Sequence, residues 1–482
     1  MSIPTTLWYT MEAVTVLAYL AGIGHALHAI KHVRTSQGAI AWAIALVMFP
    51  FISVPAYLIL GRSKFQGYVA SRRAGDLRIN HIAQELWHRL ADFRVELPDG
   101  GTGQLHQRAL EELARFPASR GNAVRLLVDG PEAFAALFAE VERAERYLLV
   151  QFFIVHDDEL GRALRDRLVA RARAGVTVCF LYDEIGCHAL PAAYLQFLRD
   201  AGCQVSAFNS TRGRRNRFQI NFRNHRKITV VDGRVAFLGG LNAGDEYMGR
   251  SARFGPWRDT HVRLEGPAVH CGQLSFLEDW YWATGRIPDL DWQPRAAAGG
   301  DQRVLILPSG PADDLDTCEL FFVEMIHAAR RRLWITSPYF VPDAPVVTAL
   351  QLAALRGVDV RILLPEKPDH LLVYLSAFSY LELMEHVGVK IYRYQPGFLH
   401  QKVLLVDDGI SAVGTANLDN RSFRLNFEVT AVVGDRPFAA EVAAMLERDF
   451  AVSRQIAATE LRARPFWFRV CVRVARLLSP MQ

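Results

Sequence analysis

The sequence predicts an α/β protein made of two copies of one domain with pseudo-twofold symmetry, preceded by a two-helix transmembrane hairpin. Three observations carry this. A motif is written twice at one offset, helix-period segments lead through glycine into short β-branched runs, and an uncharged apolar stretch lies near the start. The motif reads "NHRKITVVDGRVAFLGGLN" (Asn224–Asn242) and "LHQKVLLVDDGISAVGTAN" (Leu399–Asn417). His225, Lys227, Asp232, Gly239 and Asn242 recur 175 residues later as His400, Lys402, Asp407, Gly414 and Asn417.

The apolar stretch comes first in the chain. Gly38–Gly61, "GAIAWAIALVMFPFISVPAYLILG", has no charged residue, and a bilayer core takes about 20 apolar residues in a helix. Pro50 and Pro55 suit a spanning helix better than a soluble one. Trp8–Ile30 is apolar too, so spans are expected at about 8–30 and 38–60. Lys31 and Arg34 lie in the turn, against Arg62, Lys64, Arg72 and Arg73 after the second span. The positive-inside rule therefore favours a cytoplasmic main domain.

The duplication extends beyond the motif. "ERYLLVQFFIVHDD" (Glu145–Asp158) matches "RRLWITSPYFVPDA" (Arg331–Ala344), and "RARAGVTVCFLYDE" (Arg171–Glu184) matches "AALRGVDVRILLPE" (Ala353–Glu366). Helices are expected over Leu160–Ala174 and Val346–Leu355. "KITVVD", "KVLLVD", "RVAFLGG" and "GISAVGT" read as strands, the last two ending at a glycine where backbone passes close to a neighbour. "RDTHVRLEG" (Arg258–Gly266) pairs with "FEVTAVVGD" (Phe427–Asp435), which puts Asp259 and Glu428 at equivalent points. The predicted organisation is a hairpin (1–61), a membrane-proximal linker (62–120), two α/β domains (121–300 and 301–460) and a basic amphipathic tail (461–482). An Arg-rich insert at 209–221 is expected beside the site in the first copy only.

Net charge is a modest +5, yet the tail alone carries five Arg and no acid. With a membrane hairpin in front, such clusters point to anionic lipid rather than nucleic acid. The six cysteines form no CxxC or CxxH pair and read as reduced core residues.

The motif's chemistry follows from its residue types. His two positions before Lys on a strand aims both side chains into one cleft. A neutral imidazole is a nucleophile near neutral pH, and an imidazolium is a proton donor. Lys is a compact cation suited to phosphate oxygens, and Asn adds neutral donors. The chain has only six Lys among 55 basic residues, and two of the six follow a motif histidine. A lone His on a strand is ordinarily a satisfied core residue, but two copies at equal offset outweigh that reading. Facing one phosphorus from opposite sides, one His would attack in line while the other protonates the departing oxygen. Lys227, Lys402, Asn242 and Asn417 would hold the phosphate. Asp259 would orient His225, and Glu428 would orient His400. Asp232 and Asp407 belong to the motif as candidate catalytic residues, although each also ends a strand where a turn is needed.

H-x-K-x4-D with a following G-[GST]-x-N, twice per chain, resembles the phospholipase D superfamily over roughly 121–450. "SPYFVPD", "WRDTHVRLEGPAV", "NLDNRSFRLNFEV" and the front spans are most similar to the bacterial cardiolipin synthases of that superfamily. The resemblance implies a two-domain α/β fold with its active site at the pseudo-twofold interface. It also implies transfer of a phosphatidyl group between two phosphatidylglycerol molecules with release of glycerol, without nucleotide or metal cofactor, at the bacterial inner membrane. By the same resemblance His225 is the nucleophile. A hydrolase of the same superfamily, or a lipid-binding membrane protein without catalysis, are the alternatives. This chain departs from a perfect repeat at Gly240, which stands where Thr415 stands in the second copy. The stretch from His225 to Asp259 is also six residues longer than that from His400 to Glu428.

Overall fold

The computed structural model describes residues 5–33, 35–61, 68, 76–97, 106–208 and 221–482. The cluster Arg62, Lys64, Arg72 and Arg73, together with Arg34 and residues 209–220 of the Arg-rich insert, lies outside these. The chain forms two compact units, one of residues 1–70 with 210–222 and one of the remainder.

In the first unit, helix α1 (Thr5–His32) contains an apolar window, Trp8–His32, of mean hydropathy 1.6, long enough to cross a membrane. The second expected span is split into α2 (Ser36–Met48) and α3 (Pro50–Leu60). Pro50 has no N–H to continue the ladder, and the residue before a proline is pushed out of the helical region. Phe49 sits accordingly at φ −133°, ψ 54°. Ser53 Oγ lies 2.9 Å from the Ala45 carbonyl and 2.7 Å from that of Phe49, which secures the bend. Ala26, Ala29, Leu46 and Tyr57 form the small shared core.

The second unit is a continuous sheet whose strand order repeats. The first half supplies β1 (Ser119–Val128), β2 (Tyr147–Phe152), β3 (Thr177–Asp183), β4 (Gln204–Phe208), β5 (Ile228–Val231), β6 (Val235–Gly239) and β7 (Thr260–Glu265). The second half supplies β8 (Gln302–Ser309), β9 (Arg332–Thr336), β10 (Asp359–Pro365), β11 (Lys390–Tyr394), β12 (Val403–Val406), β13 (Ile410–Gly414) and β14 (Asn426–Gly434). The order is β4-β3-β2-β5-β6-β7-β1, then β8-β14-β13-β12-β9-β10-β11, joined by antiparallel β1–β8 pairing. Adding seven to any label in the first half gives its counterpart in the second. The strand Ser453–Ile456 closes the outer edge against β11.

Parallel strands need long crossovers, and helices supply them. Glu159–Arg173 joins β2 to β3, and Ala344–Leu355 joins β9 to β10, as the periodicity predicts. Leu164 and Leu168 pack with Val150 and Phe180 in the first-half core. Strands β5 and β12 are buried along their whole length, which accounts for their unbroken apolar runs.

Asp232 and Asp407 both follow the strand at the end opposite the motif histidine and adopt left-handed backbone, φ 54° and 51°. Asp232 accepts the amides of Glu145, Arg146 and Tyr147 at 2.8–2.9 Å. Asp407 accepts those of Arg330, Arg331 and Arg332. Each carboxylate staples its turn to the first residues of the neighbouring strand, β2 or β9. Both carboxylates are thus occupied in holding turns, the position that the sequence also allowed them. Of the cysteines, five are buried and Cys471 is exposed, and all six are free thiols.

Candidate active site

The site forms because each half lends backbone to the other. Arg223–Asn224 pairs in parallel with Asn426–Phe427 at the start of β14, and the His225 amide donates to the Phe427 carbonyl at 2.9 Å. Phe398–Leu399 pairs likewise with Trp257–Arg258 ahead of β7, and the His400 amide donates to the Arg258 carbonyl at 2.8 Å. Gly239 lies opposite His261, and Gly414 opposite Thr430. Two residues back from those partners stand Asp259 and Glu428, so their equivalence holds.

The pairing with histidine is crossed, against expectation. His225 Nδ1 lies 2.8 Å from Glu428 Oε2, and His400 Nδ1 lies 2.8 Å from Asp259 Oδ2. The crossing follows from the two docked segments, which seat each histidine on the acid-bearing strand of the other half. An ionised carboxylate only accepts, so each Nδ1 carries its hydrogen and Nε2 is left with a lone pair.

Both lysines are buried beside them. Lys227 Nζ donates to the His225 carbonyl at 2.7 Å, and Lys402 Nζ to the His400 carbonyl at 2.6 Å. Lys402 Nζ is also 2.9 Å from His400 Nδ1. An ammonium has three N–H groups, so each lysine retains donors for an anion.

Asn242 donates to Tyr247 Oη at 3.0 Å and accepts from the Ile154 amide at 3.1 Å. Asn417 receives less. Its Oδ1 is buried without a hydrogen-bond partner among the described residues, while Nδ2 reaches Asp419 only at 3.4 Å. Turning that amide over would present its NH2 to the unfilled side.

Several participants escape a motif reading. Glu428 is surrounded by Thr415 Oγ1 at 2.6 Å, Ser422 Oγ at 2.8 Å and Asn426 Nδ2 at 3.2 Å, all donating. Asp259 receives the Trp257 indole at 3.3 Å and the Thr260 amide at 2.8 Å. Gly240 is explained here, since a Cβ on it would stand 2.0 Å from Asp259 Oδ1. The glycines that close β6 and β13 also meet neighbours closely, with 2.6 Å from a built Cβ to the Thr260 and Val429 carbonyls respectively.

Behind the motif, Arg226 pairs with buried Asp279 at 3.0 Å. In the second half Asp449 receives Gln401 at 3.1 Å and Arg258 at 2.8 Å. A faint signal for these acids was present, "LED" at Leu277–Asp279 against "LERD" at Leu446–Asp449.

Burial dominates the electrostatics. It pulls the His225 imidazole down to about 4, despite the opposing pull of Glu428. Burial and the two lysines, Lys402 first, take His400 well below its ordinary value. Burial also lowers Lys402 to about 8 and Lys227 well below its usual range. The charge of Lys402 acts on His225 and that of Lys227 on His400, so the two motifs share one field. The carboxyls part company. Burial raises Asp259, whereas at Glu428 the opposing pull of His225, Lys227 and the Thr415 hydroxyl outweighs burial and lowers it. Burial thus disfavours a positive charge on either ring. The negative charge of a phosphodiester would favour protonation of one of them.

Comparison with known proteins agrees with this geometry. The family model for the cardiolipin synthase, phospholipase D-like domain matches residues 137–252 and 322–450. The phospholipase D-nuclease N-terminal model matches 18–62. Cardiolipin synthase A of Pseudomonas fluorescens is 50% identical over 470 residues, covering 96% of this chain and 97% of that protein. Cardiolipin synthase A of Pseudomonas putida is 50% identical over 466 residues, with the same coverage. A crystal structure of phosphatidylserine synthase from Haemophilus influenzae superposes with a TM-score of 0.62 at 16% identity, over 79% of this chain and all of that one, and shares the fold. Two histidine–lysine motifs on one duplicated sheet, matched along nearly the whole sequence, place the chain in the cardiolipin synthase family of the phospholipase D superfamily.

Proposed function

We propose that this chain is a membrane-bound cardiolipin synthase that passes a phosphatidyl group from one phosphatidylglycerol to another. The observation that carries the reading is the crossed arrangement of His225–Glu428 and His400–Asp259 in a field shared by Lys227 and Lys402. In the first half-reaction His225 Nε2 attacks phosphorus, the bond from phosphorus to the glycerol oxygen breaks, and His400 gives that oxygen its proton. In the second, a hydroxyl of another phosphatidylglycerol attacks, His400 takes its proton, and the nitrogen–phosphorus bond breaks. Lys227, Lys402 and Asn417 steady the charge that builds on the non-bridging oxygens.

The order of roles rests on charge. A phosphorylated imidazole is cationic for the whole life of the intermediate, so it needs a standing counter-ion, and Glu428 is the better held of the two carboxylates. The apolar N-terminal segments anchor the chain in the inner membrane, with the α/β unit on the cytoplasmic side by the distribution of Lys and Arg.

Purified protein incubated with phosphatidylglycerol alone should yield cardiolipin and glycerol in equal amounts. Phosphatidic acid and glycerol would instead identify a hydrolase, and no turnover would remove the catalytic reading.

A further inference from the structure

The helix Phe466–Leu477 carries three faces, of which one packs into the fold and a second touches it through Arg476, which lies 5.6 Å over the ring of Tyr380. Val472 and Ala475, 2% and 1% exposed, pack inward together with Phe468, whose ring meets Phe378 of the helix Leu371–Glu385 at 5.4 Å. Arg469, Arg473 and Arg476 form a second stripe. None has a carboxylate partner among the described residues, and no acid occurs anywhere in 461–482. The third stripe is apolar and open, with Phe466 74%, Trp467 64% and Leu477 79% exposed and Val470 and Val474 alongside. At 3.6 residues per turn the three stripes lie roughly a third of a turn apart.

We infer that this open face is a second membrane contact, a helix lying in the headgroup layer of an anionic bilayer and docked to the α/β unit by its opposite side. Three features argue for a bilayer over a second protein chain. A row of arginines without carboxylate partners among the described residues, beside an apolar stripe, fits anionic headgroups above and acyl chains below. Trp467 at the helix start is an aromatic type that favours the membrane–water boundary, and Phe466 beside it adds apolar surface for the acyl layer. The same polypeptide also carries α1, apolar and long enough to span, which keeps a bilayer at high effective concentration. The contact does not depend on which reaction the cleft performs.

Cys471 supplies the probe, being the one exposed thiol and lying at the edge of the open stripe. The full chain is placed in lipid nanodiscs, with an environment-sensitive fluorophore on Cys471. Discs holding phosphatidylserine, an anionic lipid outside the proposed reaction, should shift emission to the blue and permit quenching by nitroxides near the headgroup. Zwitterionic discs should do so less. Charge reversal at Arg469, Arg473 and Arg476 should weaken docking about fivefold per arginine. A Trp467→Ser, Leu477→Ser variant, which leaves the inward face intact, should abolish the shift. Emission that stays water-like and unquenched in anionic discs would overturn the inference. A blue shift already present in detergent, with Cys471–Cys471 cross-links between two chains in the unlabelled protein, would also overturn it by identifying a second copy as the occupant.

Discussion

Glu428 and Asp259 occupy equivalent positions and hold equivalent imidazoles, but their surroundings differ. Glu428 collects three side-chain donors besides His225, while Asp259 has an indole and one backbone amide besides His400. Thr415 stands over the longer Glu side chain, where Gly240 leaves only enough room for the Asp carboxyl. A duplicated motif has therefore diverged in its support rather than in its reacting groups. Burial is shared by both carboxyls, and the pull of His225, Lys227 and the Thr415 hydroxyl lowers Glu428 while Asp259 stays raised. The better-supported one faces His225, the ring proposed above to carry the phosphatidyl group.

The largest expected effect separates the two rings. His225→Ala and His400→Ala should each lower turnover of phosphatidylglycerol by at least a thousandfold. With a phosphatidyl ester of p-nitrophenol, whose leaving group needs no proton, His400→Ala should still release a burst of nitrophenolate. Mass spectrometry of the quenched digest should then find the phosphatidyl group on His225. Finding it on His400 would reverse the assignment.

Neutralising the carboxylates comes next. Glu428→Gln should reduce kcat roughly a thousandfold, by analogy with loss of the orienting acid in a catalytic triad, and Asp259→Asn only about tenfold. Equal losses would erase the asymmetry between the half-sites. Thr415→Val removes one charge-assisted hydrogen bond from Glu428, an interaction worth about 1.5–3 kcal/mol. It should lower kcat about tenfold and leave KM nearly unchanged.

The mildest test is titration. Burial puts Lys402 at about 8, so its ammonium is intact below that pH and lost above it. The pH profile of kcat/KM should therefore fall on the alkaline side from about pH 8. Lys402→Arg, which stays charged throughout, should remove that limb even if its rate is lower. An unchanged limb would assign it to another group.

Much of this was legible because duplication is visible without a structure. His225, Lys227, His400 and Lys402 stand at one offset just ahead of the equivalent strands β5 and β12, and their burial follows from the apolar runs that begin there. The crossed carboxylates were hidden. They depend on two-residue parallel pairings, Arg223–Asn224 with Asn426–Phe427 and Phe398–Leu399 with Trp257–Arg258, which are too short to leave a periodic signature. Asp232 and Asp407 are visible in the sequence for a different reason. Their regular spacing from the histidine reflects strand length, since a turn needs a left-handed residue whose carboxylate can gather free amides. In the second apolar segment, composition foretold apolar helix, while the stereochemistry of Pro50 divides it into two helices that are each shorter than a span.

Exchange of the acids also bears on ancestry and on engineering. A polypeptide with a single copy would own an imidazole and a carboxylate that never meet within it. Two such molecules, face to face, would complete both centres at once. Fusion into one chain makes that partnership permanent and frees each copy to drift, so long as the other compensates. Cut between the copies, the pieces should be inert alone and regain turnover when mixed.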